Sequence, residues 1–340
     1  MLVRFRGTRG SIPIALTAED VREKVIAALL ASRGKELRSE GQIRKFVADT
    51  LPFHVSSTYG GNTPCVEIET ESADEFLIFD GGSGIRPLGM EVMAQGPGER
   101  TFHVFLSHLH YDHLQGIPFF APAYVPGNKI IFHGGHEDIL EHLARHMDVP
   151  YFPVPISAMG AELSYRRHAP GDVVEVCGHR ISLIEQDHPG LSYGYRIDKD
   201  EASAVYSTDA EHRIPAHGKK YPFIDFIQGA DLLIFDAPYT LSQSIGSRED
   251  WGHSSNVMGV ELAARAEVDT LALFHHDPAA TDAEMDDFLR HTQKFLDRSC
   301  IAVRETRPGI PGAPSPRAHP KQVIVAYDGL EFEIQADSAT

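Results

Sequence analysis

Residues 106–116 read L-S-H-L-H-Y-D-H-L-Q-G, an apolar run ending in four potential metal donors: His108, His110, Asp112 and His113. Side chains two apart on an extended segment share a face, so His108 and His110 can grip one ion. If the chain then turns into a helix, Asp112 and His113 swing toward a neighbouring position. Imidazoles with a carboxylate suit Zn²⁺, Mn²⁺ or Fe. The chain carries 19 histidines, and further donors follow at the ends of apolar runs. These are His188 in DHPGLSYGYRI, Asp209 in VYSTDA, Asp236 in DLLIFD and His275 in LALFHHDP, with His253 in WGHSS between the last two.

Strands must deliver these groups. FLIFD ends in Asp80, VFLS leads to His108, AVYST to Asp209, and LALF to His275. Ligands placed at the C-terminal ends of core strands are how layered α/β proteins build sites. Short apolar runs at 64–80, 103–107 and 129–134 alternate with helical stretches near 86–94, 113–122 and 137–147. The second half repeats the theme, with helices expected over 256–267 and 281–298. An α/β fold follows, with two sheets and helices outside both, a four-layer αββα sandwich. Residues 17–32 are amphipathic at helical spacing with Thr17 as N-cap, and 40–49 form a second helix. The chain thus reads as one domain over 1–340 with a helical insertion at about 14–50. QVIVAY and LEFEIQ read as a closing hairpin around Asp328-Gly329, after a Pro-rich loop at 308–320.

Composition narrows the function classes. A net charge of −17 argues against a non-specific nucleic-acid binder, which needs a cationic surface to displace counterions. Small anionic substrates stay open, because bound metal ions dominate the local field of a site. Cys65, Cys177 and Cys300 are widely spaced and odd in number, so no disulfide framework is expected. With no apolar signal-peptide core and no membrane-spanning run, a cytoplasmic protein with no membrane partner is expected.

H-L-H-Y-D-H resembles the H-x-H-x-D-H signature of the metallo-β-lactamase superfamily. Other landmarks of that family follow in order: Asp80-Gly81-Gly82-Ser83-Gly84, His188 before a Gly-Tyr-Arg strand, Asp209 and His275. The resemblance implies the metallo-β-lactamase fold and two divalent ions, of which zinc is the first expectation, with manganese or iron as alternatives. It assigns His108, His110 and His188 to the first ion and Asp112, His113 and His275 to the second, with Asp209 bridging. Asp80 is then expected to orient a ligand histidine. ADLLIFDAPYT, WGHSS and LALFHHDP are similar to the ribonuclease Z and phosphodiesterase branch, where Asp236 stands in place of a more usual Glu, beside His253.

The chemistry implied is hydrolysis by a metal-bridging hydroxide, with Asp112, His253 and Asp236 as the catalytic side chains. His253, oriented by Asp236, would protonate the leaving alkoxide. A dedicated leaving-group acid favours a small phosphodiester such as a cyclic nucleotide. Three alternatives stand beside it: carboxylic ester, lactone or β-lactam hydrolysis; tRNA 3′ processing; and a non-hydrolytic diiron redox or oxygen-binding role. The acidic charge and the lack of a Gly-Pro-Lys-rich arm between Asp209 and Asp231 weigh against a nucleic-acid partner. The partner expected is a small-molecule substrate, and the resemblance also allows a homodimer.

Overall fold

The computed structural model describes residues 1–213, 221–241, 251–306 and 319–335. The first sheet contains β1 (Leu2–Gly7), β2 (Cys65–Ile68), β3 (Glu75–Phe79), β4 (Thr101–Phe105), β5 (Lys129–Gly134) and β6 (Glu162–Arg167). The second contains β7 (Val173–Val176), β8 (His179–Gln186), β9 (Ser192–Lys199), β10 (Ala202–Ser207), β11 (Leu232–Asp236), β12 (Thr270–Phe274) and β13 (Gln322–Val325). β14 (Glu331–Glu333) returns to the first sheet beside β1. Among the described residues each sheet has seven strands, in the orders β14-β1-β2-β3-β4-β5-β6 and β13-β12-β11-β10-β9-β8-β7. In each, four neighbouring strands run parallel: β3 to β6 and β10 to β13. Their C-terminal ends therefore share a rim within each sheet, and most donor-bearing segments follow those ends, His188 after β8 excepted.

The helices are α1 (Ala18–Ala31), α2 (Glu40–Asp49), α3 (Phe53–Ser56), α4 (Ile85–Ala94), α5 (Tyr111–Leu114), α6 (Ile139–His146), α7 (Pro222–Ile227), α8 (Asn256–Arg265) and α9 (Asp282–Thr306). Apolar runs with no polar alternation bury both faces of a strand, and β3 shows how. Leu77 and Phe79 join Phe5, Phe105, Tyr206 and Phe274 between the sheets. Phe76 and Ile78 point the other way, under Leu88 and Val92 of α4. The outer face of the second sheet, with Leu233, Phe235 and Leu271, is covered by Val260 and Leu262 of α8 and by Met285 and Leu296 of α9. This is the four-layer αββα sandwich.

Thr17 and Ser39 cap α1 and α2, each in a reciprocal box with Asp20 and Gln42. α1 nevertheless buries none of its residues, and Val25, Leu29 and Leu30 stay exposed. Lys24 ties it to the body through Ser57 O at 2.8 Å and Asp282 Oδ2 at 2.6 Å.

Two expectations need correction, and two strands went unread. The helix read over 113–122 is only the single turn α5 followed by two 3₁₀ turns, Ile117–Phe119 and Ala121–Tyr124, because Pro118 and Pro122 lack the amide that helix continuation requires. The closing hairpin does not form: β13 pairs with β12 in the second sheet and β14 with β1 in the first. Asp328 marks the crossing, accepting from the amides of Gly61 and Asn62 at 3.1 and 2.9 Å. β6 and β7 went unread, since ELSYRR and VVEV mix exposed and half-buried positions. Most of the Pro-rich stretch, 308–318, lies outside the described residues.

Phe79 is fully buried, with the rings of Phe105, Tyr195 and Tyr206 at 5.3, 5.6 and 5.8 Å. Phe79→Ala should lower unfolding free energy by about 3–5 kcal/mol, read from urea denaturation. A loss below about 1 kcal/mol would mean that the inter-sheet core does not depend on this ring.

Candidate metal centre

The segment after β4 turns outward at Ser107 and carries His108, His110, Asp112 and His113 to the shared rim. His110 directly precedes α5, whose single turn folds Asp112 and His113 back beneath it. The loop after β8 supplies His188, the residue two past β10 is Asp209, and His275 directly follows β12. Sequence-distant donors therefore meet in one cage. His108, His110 and His188 offer donor atoms within 4.8 Å of one another; so do His108, His113 and Asp209, and so do Asp112, His113 and His275. His188 Nε2 lies 3.1 Å from His110 Nδ1.

Asp209 stands between the two histidine groups and gives one oxygen to each. Its Oδ1 is 3.8 Å from both His108 Nε2 and His188 Nε2. Its Oδ2 is 3.2 Å from His113 Nε2 and 3.4 Å from His275 Nε2. Asp112 Oδ2 sits 3.3 Å from His113 Nε2 and 3.2 Å from His275 Nε2, and accepts the Ser11 amide at 2.8 Å.

The titration behaviour follows from this crowding. Burial alone would raise Asp209, but His275, His113 and His108 hold it well below the usual carboxylate range. Asp112 is likewise held low against its burial by His113 and His275. Burial and the neighbouring imidazoles push His108 well down. For His113 burial works downward too, yet Asp112, Asp209 and Asp80 carry it well up. The cage thus demands positive charge. His108 Nε2 and His113 Nε2 are buried without a hydrogen-bond partner although each faces Asp209. Orphaned ring nitrogens around carboxylates are a donor set suited to divalent cations.

A surrounding shell fixes the donors. Asp80 Oδ2 is 2.7 Å from His113 Nδ1, and accepts the hydroxyls of Ser107 and Tyr206, each at 2.7 Å. His188 Nδ1–H donates to Gly252 O at 2.8 Å. Gly252 has φ 79°, and a Cβ there would meet His188 Nδ1 at 2.3 Å, so glycine is needed for this approach. Asp236, at the end of β11, faces two histidines: His253 Nδ1 at 3.0 Å and His275 Nδ1 at 3.4 Å. Burial would depress His253, but Asp236, helped by Asp209 and Asp112, pushes it up to about 9.

All nine candidate residues from the sequence therefore converge. Reading missed Ser11, which acts through its backbone amide, and Tyr206, which looks like any aromatic of an apolar strand. His276 is buried and bonds Ala326 O at 2.7 Å through Nε2, away from the cage.

Residues 87–276 match the family described as the beta-lactamase superfamily domain. The chain belongs to that superfamily. It is 25% identical over 316 residues to a ribonuclease Z of Haloarcula marismortui, covering 78% of this chain and 89% of that protein. Among solved structures it is similar to the metallo-β-lactamase fold protein YhfI from Bacillus subtilis, at 18% identity, with a TM-score of 0.59 over 98% of this chain and 99% of that one. A diphosphatase from the PhnP family aligns with the same score of 0.59, at 15% identity over 98% of each chain. The protein is a metallo-hydrolase of the β-lactamase superfamily, with ribonuclease Z-like relatives. Membership implies divalent metal ions, and the His and Asp groups above are fitted to them. No described helix is long and apolar enough to cross a membrane.

Asp80→Ala would strand three buried partners at once. It should cost about 3–5 kcal/mol of stability, measured by chemical denaturation, whereas Asp80→Asn should cost less. Equal losses would show that the carboxylate's charge, and not its shape, carries the contribution.

Proposed function

We propose that this chain is a dinuclear-metal phosphodiesterase acting on a small phosphodiester. The observation that carries the reading is the His253–Asp236 pair set against a cage split in two by Asp209. His108, His110 and His188 would hold one ion and Asp112, His113 and His275 the other, with one oxygen of Asp209 toward each. Zinc suits this donor set, and manganese or iron would accept it too. Bound there, two divalent ions supply Lewis acidity and neutralise charge on the phosphoryl oxygens.

The remaining work belongs to the chain. Asp112 Oδ2 is taken by Ser11 and two imidazoles, which leaves Oδ1 to accept a proton from the attacking water. Asp236 holds His253 by Nδ1, which leaves Nε2 as the atom that donates a proton to the leaving alkoxide. A proton donor on the leaving side matters most for a poor leaving group, which is the case for an alkyl phosphodiester. The open side of the cage lies at His110, which is exposed while His108, His113 and His188 are buried. A net charge of −17 weighs against a large polyanion such as tRNA as the substrate.

The test is elemental analysis together with turnover of bis(p-nitrophenyl) phosphate and of a cyclic nucleotide. Two ions per chain in the cage are expected, and Asp209→Ala should lose these and turnover. His253→Ala should keep its metal. Its turnover of alkyl-leaving-group diesters should fall by about 10²–10⁴-fold, with a smaller loss on the p-nitrophenyl ester. Equal losses on both would remove the proton-donor role. Metal-loaded protein that cleaves lactones or carboxylic esters but no phosphodiester would overturn the substrate class.

A further inference from the structure

A second group of donors lies well away from the cage. Glu75 is the first residue of β3, five residues before Asp80, and His103 of β4 is five residues before His108. At the usual rise along a strand each is roughly 16 Å from the rim. Glu75, Leu77 and Phe79 alternate onto the inter-sheet face, as do His103 and Phe105. From the opposite sheet, Cys177 reaches the same space from the tight turn between β7 and β8, where Cys177 and Gly178 take φ 50° and 72°. The carboxylate of Glu75, a ring nitrogen of His103 and the thiol of Cys177 lie within 4.8 Å of one another.

We propose that Glu75, His103 and Cys177 form a separate site for one thiophilic divalent ion of the Zn²⁺ type, clipping the two sheets together. The proposal does not rest on the phosphodiesterase reading. Its second support is the setting of His103, which is buried. His103 Nδ1 lies 3.0 Å from His133 Nε2, and His133 Nδ1 lies 3.0 Å from His168 Nε2. With each Nδ1–H donating along this file of rings, His103 Nε2 is left as a lone-pair donor. A histidine anchored through its other ring nitrogen is the arrangement that metal-binding imidazoles use.

One sulfur, one nitrogen and one oxygen donor with a fourth position for water match Zn²⁺ and exclude Mg²⁺ and Ca²⁺, which take oxygen ligands. Zinc bonds of about 2.0–2.3 Å put tetrahedral donors ~3.5 Å apart, so donors up to 4.8 Å apart here would draw together on binding. The exposed Glu75 side chain and the Cys177 rotamer can supply that movement. On binding, the S–H bond of Cys177 breaks, its proton leaves to water and a sulfur–metal bond forms, with no change in oxidation state.

Co²⁺ titration of the full chain tests this site specifically. The cage near His108 contains only nitrogen and oxygen donors, so a sulfur-to-cobalt charge-transfer band in the near ultraviolet reports thiolate ligation alone. The band should appear in the wild type and be lost in Cys177→Ser, which should also retain one Zn²⁺ fewer. Cys300→Ser and Asp209→Ala should keep it. No band in the wild type, or a band that survives Cys177→Ser, would overturn the proposal. Should Cys177→Ser fail to fold, the wild type still decides: Zn²⁺ must slow alkylation of Cys177 by iodoacetamide, and Glu75→Gln must weaken that protection. An alkylation rate indifferent to Zn²⁺ counts against the site.

Discussion

Two carboxylates, Asp112 and Asp209, are buried to 7% and 2% exposure among five imidazoles. That concentration of charge and dipole is unfavourable in a protein interior unless every member is balanced by a partner. Much of the local architecture answers this demand. Asp80 ties His113 to Ser107 and, across the sandwich, to Tyr206. Asp236 faces both His253 and His275, and Ser11 lends its amide to Asp112. The backbone contributes too: Asp80, Asp209 and His275 all sit at or just past strand ends with φ of 61°, 50° and 59°. Left-handed backbone at a non-glycine residue costs about 1–3 kcal/mol and persists only where the surroundings hold it. Three such residues around one cage mark where this fold gives up stability for donor geometry.

The donors were legible because each follows an apolar run, and a strand end is a position that hydrophobic patterning locates well. Thr17 likewise announces α1 as its cap, and the structure starts the helix there. What was not legible depends on long-range pairing. β13 and β14 are separated by a turn that looks like a hairpin turn, yet they belong to different sheets, a choice made by β12 and β1. β6 and β7 lie at sheet edges, where one side of the strand has no neighbour and the pattern loses contrast. Ser11 was invisible because a backbone amide carries no side-chain signal.

The two sheets are built alike. Each places a parallel block at one side and antiparallel strands at the other, and donors follow the C-terminal ends of parallel strands in both, with His188 after the antiparallel β8 as the exception. The first sheet contributes the tight cluster from His108 to His113. The second contributes His188, Asp209 and His275 singly, from three separate connections. The clustered half tolerates little change in local spacing, whereas each isolated donor depends on the length of the loop or strand that presents it.

The closure of the first sheet has a consequence for how the protein is made. β1 is completed by β14, and Arg4 reaches Glu331 at 2.9 Å across 327 positions of sequence. During synthesis the N-terminal half emerges with His108, His110, Asp112 and His113 exposed, long before β12 delivers His275 and before β14 seals the edge beside β1. The cage is therefore complete only once the C-terminal strands have joined the two sheets.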